Sequence, residues 1–293
     1  MSSQKRQSLI GGIFKIIGTI VGCVLLLVVA AYCYLRFALG IDVFDIKKKI
    51  DLLNAKPNES TIITRPYDNQ DAVDGFAVMF GTNDIYTEDG EGNYQFDKTK
   101  FSAANLTADI RLTDEQFASI VNLFIKNIYS EDTDFSKYIS VKQIVFSSFE
   151  ENAGTISTDV QVVAKADFVE FKKVIAGEKN AIVDFISGLI PDTIYITSNF
   201  KISMQMSSPD QFLVESKSVL INNLTQEQSK SILELADKLL GASDLLPENI
   251  SKTFAKVLFG GEDTQGLVDV VTGCSYFTFE SDGTNIYLAL KKA

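Results

Sequence analysis

Twenty residues without a charge, Ile16–Leu35 (IIGTIVGCVLLLVVAAYCYL), constrain the chain more than any other stretch. At about 1.5 Å per residue a helix of that length is about 30 Å long, the thickness of a bilayer's hydrocarbon core. The stretch predicts a single membrane-spanning anchor, carried by Ile16, Gly18, Gly22, Leu26, Val29, Tyr32 and Leu35. The apolar run exceeds the core of a signal peptide and no small-x-small cleavage site follows it, so an uncleaved signal anchor is expected. Ile20-Val21-Gly22-Cys23 matches a bacterial lipobox. A lipoprotein continues with a polar tether, however, and here deep-membrane sequence runs on to Leu35. Gly18-x-x-x-Gly22 brings two small residues onto one helix face, a spacing that permits a homodimer in the membrane. The plainer alternative is that glycine is common in spanning helices.

Orientation rests on flanking charge. Lys5, Arg6, Lys15 and the terminal amine precede the span; Arg36 and Lys47–Lys49 follow it. The counts nearly tie under the positive-inside rule, and the shortness of the tail favours an N-terminus inside and a body outside the cytoplasm. The expected division is a tail (1–8), the anchor (9–36), a juxtamembrane amphipathic helix (37–56) and an acidic extracytoplasmic α+β domain (57–293). In the juxtamembrane helix Val43, Phe44, Ile46, Ile50 and Leu53 recur at helical spacing. That helix either lies on lipid headgroups through Lys47–Lys49 or packs as a stalk onto the domain.

The four basic residues of 1–36, taken from 27, leave 23 against 38 acids, so the body carries a charge near −15. Such a surface repels nucleic acid and anionic headgroups. The chain has no histidine, which removes the commonest general base and most zinc sites. Cys274 is the one cysteine beyond the span, so the body forms no internal disulfide.

Beyond Pro57 the signal is weak at first. Thr61–Arg65 reads as a short strand. Ile85–Thr87 and Tyr94–Phe96 flank an acidic turn, Glu88–Asn93, that lacks the glycine and glutamate an EF-hand loop requires. Leu106–Leu112 then alternates as a strand, and Thr113 with Gln116 forms a capping box opening a helix whose apolar face holds Phe117, Ile120, Val121, Phe124 and Ile125. Ser140–Phe149 follows as a strand. A second capping box, Thr225 with Gln228, opens a helix presenting Ile232, Leu233, Leu235 and Leu239, with Gly241 placed to end it. Strand Ser275–Phe279 follows later. Both parts read strand, L-T-x-E-Q helix, strand, F-E turn, strand, which suggests repeats at 105–165 and 217–291 with a helix Glu248–Phe259 inserted in the second. Two independent capping boxes would read the same way.

Between the two parts, Phe168–Ile175 and Ala181–Leu189 have helical period. The longest strand comes next, Thr193–Met206, roughly 45 Å if fully extended. Ile194, Ile196, Phe200, Ile202, Met204 and Met206 share one face. Thr155–Lys165 and Phe212–Ile221 suit antiparallel neighbours, so the expected body is a long curved antiparallel sheet packed with amphipathic helices.

The catalytic signals are weak, and the reading assigns no catalytic, cofactor or metal residues. Ser198-x-x-Lys201 has serine–lysine spacing, but residues three apart on a strand face opposite sides. Asp132/Asp134 and Glu262/Asp263 are paired carboxylates in loop settings, and Cys274 reads as a small core residue. The layout of short tail, span and β-rich outer part, with its L-T-x-E-Q helix starts at Leu112–Gln116 and Leu224–Gln228, resembles the YpmS-like envelope proteins of Gram-positive bacteria. The resemblance covers the layout and those two motifs. The acidic turn and the inserted helix have no place in it, and it transfers no catalytic residue. Two functions are carried forward. The first is a membrane-anchored binding module of the cell envelope, not an enzyme, that takes a lipid-like ligand on the Ile194–Met206 face or a partner protein. The second is an extracytoplasmic hydrolase acting on envelope material through carboxylates.

Overall fold

The computed structural model describes residues 43–81, 86–88, 94–96, 106, 108–128, 138–169, 172, 191–240, 246–261 and 265–292. It is an α+β fold. In chain order the elements are α1 (Val43–Asn54), α2 (Glu59–Ile62), α3 (Asn69–Phe80), β1 (Tyr86–Glu88), β2 (Tyr94–Phe96), β3 (Ile110–Leu112), α4 (Asp114–Ile128), β4 (Ile139–Asn152), β5 (Thr155–Asp167), β6 (Thr193–Gln205), β7 (Ser208–Ile221), α5 (Gln226–Leu240), α6 (Pro247–Phe259), α7 (Leu267–Thr272), β8 (Tyr276–Ser281) and β9 (Ile286–Lys291). Instead of the single sheet expected, the strands form a four-stranded antiparallel meander β4-β5-β6-β7, a three-stranded sheet β3-β9-β8 and the separate hairpin β1-β2. The anchor at Ile16–Leu35 and the span 181–189 lie outside the described residues, as does most of Phe168–Ile175. Among the described residues no helix is long and apolar enough to cross a membrane.

Period-two patterning explains the large sheet. In β6 the side chains of Ile194, Ile196, Phe200, Ile202 and Met204 are buried on one face. Ile156, Val160 and Val162 of β5 extend the same apolar row. Helices α4 and α6 and the small sheet cover this face. Fully burying an aliphatic or phenyl side chain contributes about 1.5–3 kcal/mol, so this face holds most of the driving force. Helix α4 starts where its capping box predicts: Thr113 N–H donates to Gln116 Oε1 at 3.0 Å, and Gln116 N–H to Thr113 Oγ1 at 3.2 Å. The α5 box is formed in the same way by Thr225 and Gln228.

Several expectations need correction. Thr61–Arg65 is not a strand; α2 occupies Glu59–Ile62 and buries Ile62. Helix α3 was missed because Gly75 interrupts its apolar stripe and its capping box uses Asp68 with Asp71 instead of a glutamate. That glycine has a packing cause: a Cβ there would lie 2.7 Å from Ile120 Cδ1 of α4, so its absence lets the two helices meet closely. Strand β3 is confined to Ile110–Leu112. Of the two readings for the juxtamembrane helix, the described part packs onto the domain: Ile50 and Leu53 of α1 are buried in the main core, and Asn222 Nδ2 donates to Leu53 O at 3.4 Å. Lys47 and Lys48 are exposed.

The repeated element order is present, but the two hairpins enter different sheets. Hairpin β4-β5 lies in the large sheet and β8-β9 in the small one, where β3 pairs with β9. Each L-T-x-E-Q helix therefore joins a strand of one sheet to a hairpin of the other.

The opposite face of the large sheet carries a chain of amides across all four strands. Gln143 Nε2 donates to Gln161 Oε1 at 2.5 Å, Gln161 Nε2 to Asn199 Oδ1 at 2.9 Å, and Asn199 Nδ2 to Ser218 Oγ at 2.9 Å. Gln143 has no exposed surface. Its Oε1 accepts the N–H of Thr64 at 2.8 Å and of Arg65 at 2.7 Å, fixing the α2–α3 connection. Below α2, Val163 and Tyr195 form a second small apolar cluster with Ile62.

Two stability measurements follow from these contacts. Gln143→Leu strands two backbone donors and one side chain of the amide chain, and should lower the unfolding free energy by about 2–4 kcal/mol in urea titration. In the β4–β5 turn, Ala153 (φ 49°) and Gly154 (φ 79°) both have positive φ, where the favoured pair is Asn-Gly. Ala153→Asn should raise the unfolding free energy by about 0.5–1 kcal/mol, read as a higher urea midpoint.

Candidate functional site

The residues predicted for an apolar ligand face do not form an open surface. Ile194, Ile196, Phe200, Ile202 and Met204 are buried beneath the protein's own helices and small sheet, and Met206, beyond the end of β6, is exposed. Ser198 lies in the same buried row and shares a hydrogen bond with Ser251 of α6 at 3.0 Å. Lys201 points the other way, to Glu150 at 2.7 Å, so serine and lysine lie on opposite faces as the strand period requires. Asp132, Asp134, Glu262 and Asp263 fall outside the described residues. Burial pushes the Cys274 thiol up to about 11, which keeps it protonated at neutral pH.

One carboxylate pair escaped the sequence reading because both members sit inside a capping motif. Asp114, at the first turn of α4, is buried; its Oδ2 accepts Arg65 Nη1 at 2.5 Å and Phe146 N–H at 3.4 Å. Burial first, then the hydrogen bond and charge of Glu115, push the Asp114 carboxyl up to about 7. The Arg65 guanidinium opposes this but is half exposed and screened. The hydrogen bond from Asp114 holds Glu115 below the usual carboxylate range. Below about pH 7 it is therefore Asp114, and not Glu115, that binds a proton. Neither carboxyl lines either of the two concavities described next.

The first concavity is an apolar cavity of about 40 Å³ near the start of β6, bounded by Val121, Ile125, Val162, Ile196, Phe254 and Leu258. It is far smaller than the roughly 150 Å³ cavity that accommodates benzene.

The second is an open groove of about 740 Å³ at the other end of the sheet. Its floor is the first half of β7, with Phe212, Leu213 and Val214; one wall is α6, with Lys252 and Lys256, ending at Gly260. Pro247 starts α6 and its buried stripe of Ile250, Phe254, Val257 and Leu258 sets the helix on the sheet, so residues 252 and 256, one turn apart, emerge together on the groove side. Gly260 (φ 85°) turns the chain out of the helix. Gly266 holds that turn in place: a Cβ there would lie 2.2 Å from Gly260 N. Leu213 is 77% exposed and Met206 56%, the two most exposed large apolar side chains among the described residues. Lys165, Lys201, Lys217 and Lys291 each meet a carboxylate. Lys252 and Lys256 have no such partner among the described residues. The groove escaped the sequence reading because its lysines belong to an ordinary amphipathic helix and its floor to an ordinary strand.

Among the described residues no group of three or more acid or cysteine side chains is placed to hold a metal ion. No family model, curated protein or solved structure matches the chain.

Asp114 sets a pH dependence. Its folded carboxyl titrates well above the ordinary value of 3.8, so the folded state binds the proton more tightly than the unfolded one, and stability from this group falls as pH rises from about 4 to about 7. Glu115, held low, acts in the opposite sense and below that window. In urea titrations from pH 5 to 8, Asp114→Asn should flatten a slope that approaches about 1.4 kcal/mol per pH unit in the parent chain.

Proposed function

We propose that this chain is a membrane-anchored, extracytoplasmic binding module of the cell envelope, non-enzymatic, and that it receives a partner protein in the groove between β7 and α6. The observation that carries the reading is the groove itself. An open concavity of about 740 Å³ has the exposed Leu213 on its floor and, on its wall, Lys252 and Lys256, which meet no carboxylate among the described residues, in a body that is otherwise acidic. Exposed apolar residues grouped with charged ones at a concavity mark a recognition surface.

The anchor at Ile16–Leu35 and the layout resembling YpmS-like envelope proteins support the location. Helix α1, which follows the anchor, packs near Asn222 at the end of β7, whereas the groove floor is the start of that strand. A strand of 14 residues separates them by about 40 Å, so the groove lies at the end of the sheet remote from α1. A lipid-like ligand is less well supported. The aliphatic face that would hold an acyl chain is filled, and the remaining apolar cavity is about 40 Å³. For the hydrolase alternative, two acids would have to face one concavity. Asp114 and Glu115 instead direct their oxygens to Arg65, to Phe146 and to each other.

The test places a photo-crosslinking amino acid at 213 in the full-length protein in native membranes, with control positions 147 and 230 on other surfaces. Discrete protein adducts from 213 and not from the controls are expected, with no stoichiometric lipid in mass spectrometry of the purified protein. Equal adducts from all three positions, or bound lipid at one per chain, would overturn the reading.

A further inference from the structure

The two outer strands of the large sheet are treated differently. Strand β4 has its outer edge occupied: the Tyr67 hydroxyl donates to Val141 O, and Asp114 accepts the Phe146 N–H. Along β7, from Ser208 to Leu220, no backbone hydrogen bond is made on the side away from β6 among the described residues. Only at the strand's end is a backbone group capped, where Ile221 N–H donates to Ser229 Oγ at 3.0 Å. An open edge that carries a 77%-exposed leucine is a template for another strand.

The open stretch has defined limits. Pro209, which has no N–H, lies at one end. At the other, the register shift between Asn199 and Phe200 leaves Lys217 outside the ladder as a bulge. Both are devices that natural sheets use to stop edge pairing. A second register shift, between Met204 and Gln205, takes residues 209–211 out of the ladder, so Phe212–Ser216 remains, about 16 Å of regular edge at about 3.3 Å per residue. This stretch includes the floor of the groove, beneath Lys252 and Lys256.

We propose that the groove takes an extended, acidic segment of a partner protein as an added β-strand on Phe212–Ser216. The inference rests on the groove being the binding site and specifies how it binds. Main-chain hydrogen bonds to β7 supply affinity without regard to sequence, and alternate side chains supply specificity. Those on the α6 side meet two lysines that lack carboxylate partners among the described residues, so acidic residues are selected there. Those on the other side meet Leu213, which selects an apolar residue. The matching ligand is about five residues long, with acidic and apolar positions alternating. A second copy of this chain is the rival occupant; its own β7 brings Glu215 and Lys217 together, a mixed pattern that matches the two lysines poorly.

The experiment selects from a phage-displayed random 12-mer library on the full-length protein in nanodiscs. Enriched sequences should contain alternating acidic and apolar residues. A synthetic enriched peptide should lose tenfold or more in affinity against Lys252→Glu/Lys256→Glu, and again when alternate amides are N-methylated. Against Lys201→Glu, on the far face, its affinity should hold. Circular dichroism of each variant establishes folding. Enriched peptides that are basic, that tolerate N-methylation or that ignore the lysine reversal overturn strand addition, as does no enrichment at all. So does a covalent dimer through position 213. If crosslinks from 213 still capture a discrete protein while N-methylation has no effect, the binding-module reading stands and the strand mechanism fails. If neither is seen, both fail.

Discussion

Six phenylalanine rings meet where the two sheets and their covering helices converge, and the arrangement of every other element depends on them. Phe146 of β4 stacks on Phe117 of α4 at 6.3 Å between centroids and meets Phe279 of β8 edge-on at 5.2 Å. Phe259 of α6 stacks on Phe117 at 5.8 Å and on Phe277 at 5.1 Å, and Phe212 of β7 meets Phe277 edge-on at 5.8 Å. The chain has 21 phenylalanines and no tryptophan, so phenyl rings carry its aromatic packing. Offset and edge-on pairs add about 0.5–1.5 kcal/mol each beyond the area they bury. Their placement also matters: they join strands from both edges of the large sheet to the small sheet and to both covering helices. Together with the buried Leu288 and Leu290 of β9, they hold the hairpin β8-β9 beneath β4-β7.

This arrangement also places the groove. Phe259 is the last residue of α6, and its ring is fixed between Phe117 and Phe277. That pins the C-terminal turn of the helix, where Lys256 and Gly260 form the wall. On the floor, Phe212 turns its ring inward to Phe277 while the next side chain, Leu213, faces solvent, as the strand period demands. Core packing and the exposed recognition surface are thus consecutive residues of one strand. The polar face of the sheet is held more loosely, by amides and ion pairs that direct the α2–α3 connection through Gln143.

Much of this was legible in residues alone. The capping boxes at Thr113 and Thr225, the stripe of α6 behind Pro247, and the period-two rows of β5 and β6 all depend on neighbours within four residues, and the structure realises each of them. The misses have equally specific causes. Helix α3 is hidden by a glycine whose purpose lies on α4. The carboxyl of Asp114 looks like a routine first-turn acid until Glu115, Arg65 and the edge of β4 enclose it. The apolar row of β6 reads equally well as an open ligand face or as core, because period two reports which side chains are alike and not what covers them.

By itself the sequence determined an uncharged span long enough to cross a bilayer, an acidic histidine-free body, two capped helices and a set of long alternating strands. Those properties follow from local composition and from periods of 2 and 3.6 residues. Tertiary structure decided which strands pair across long separations, such as Leu112 with Leu288. It decided that the two hairpins enter different sheets, and that β7 is an outer strand of its sheet with Lys252 and Lys256 beside its first half. Each of these depends on the fit between surfaces distant in the chain, and no window of a few residues contains that information.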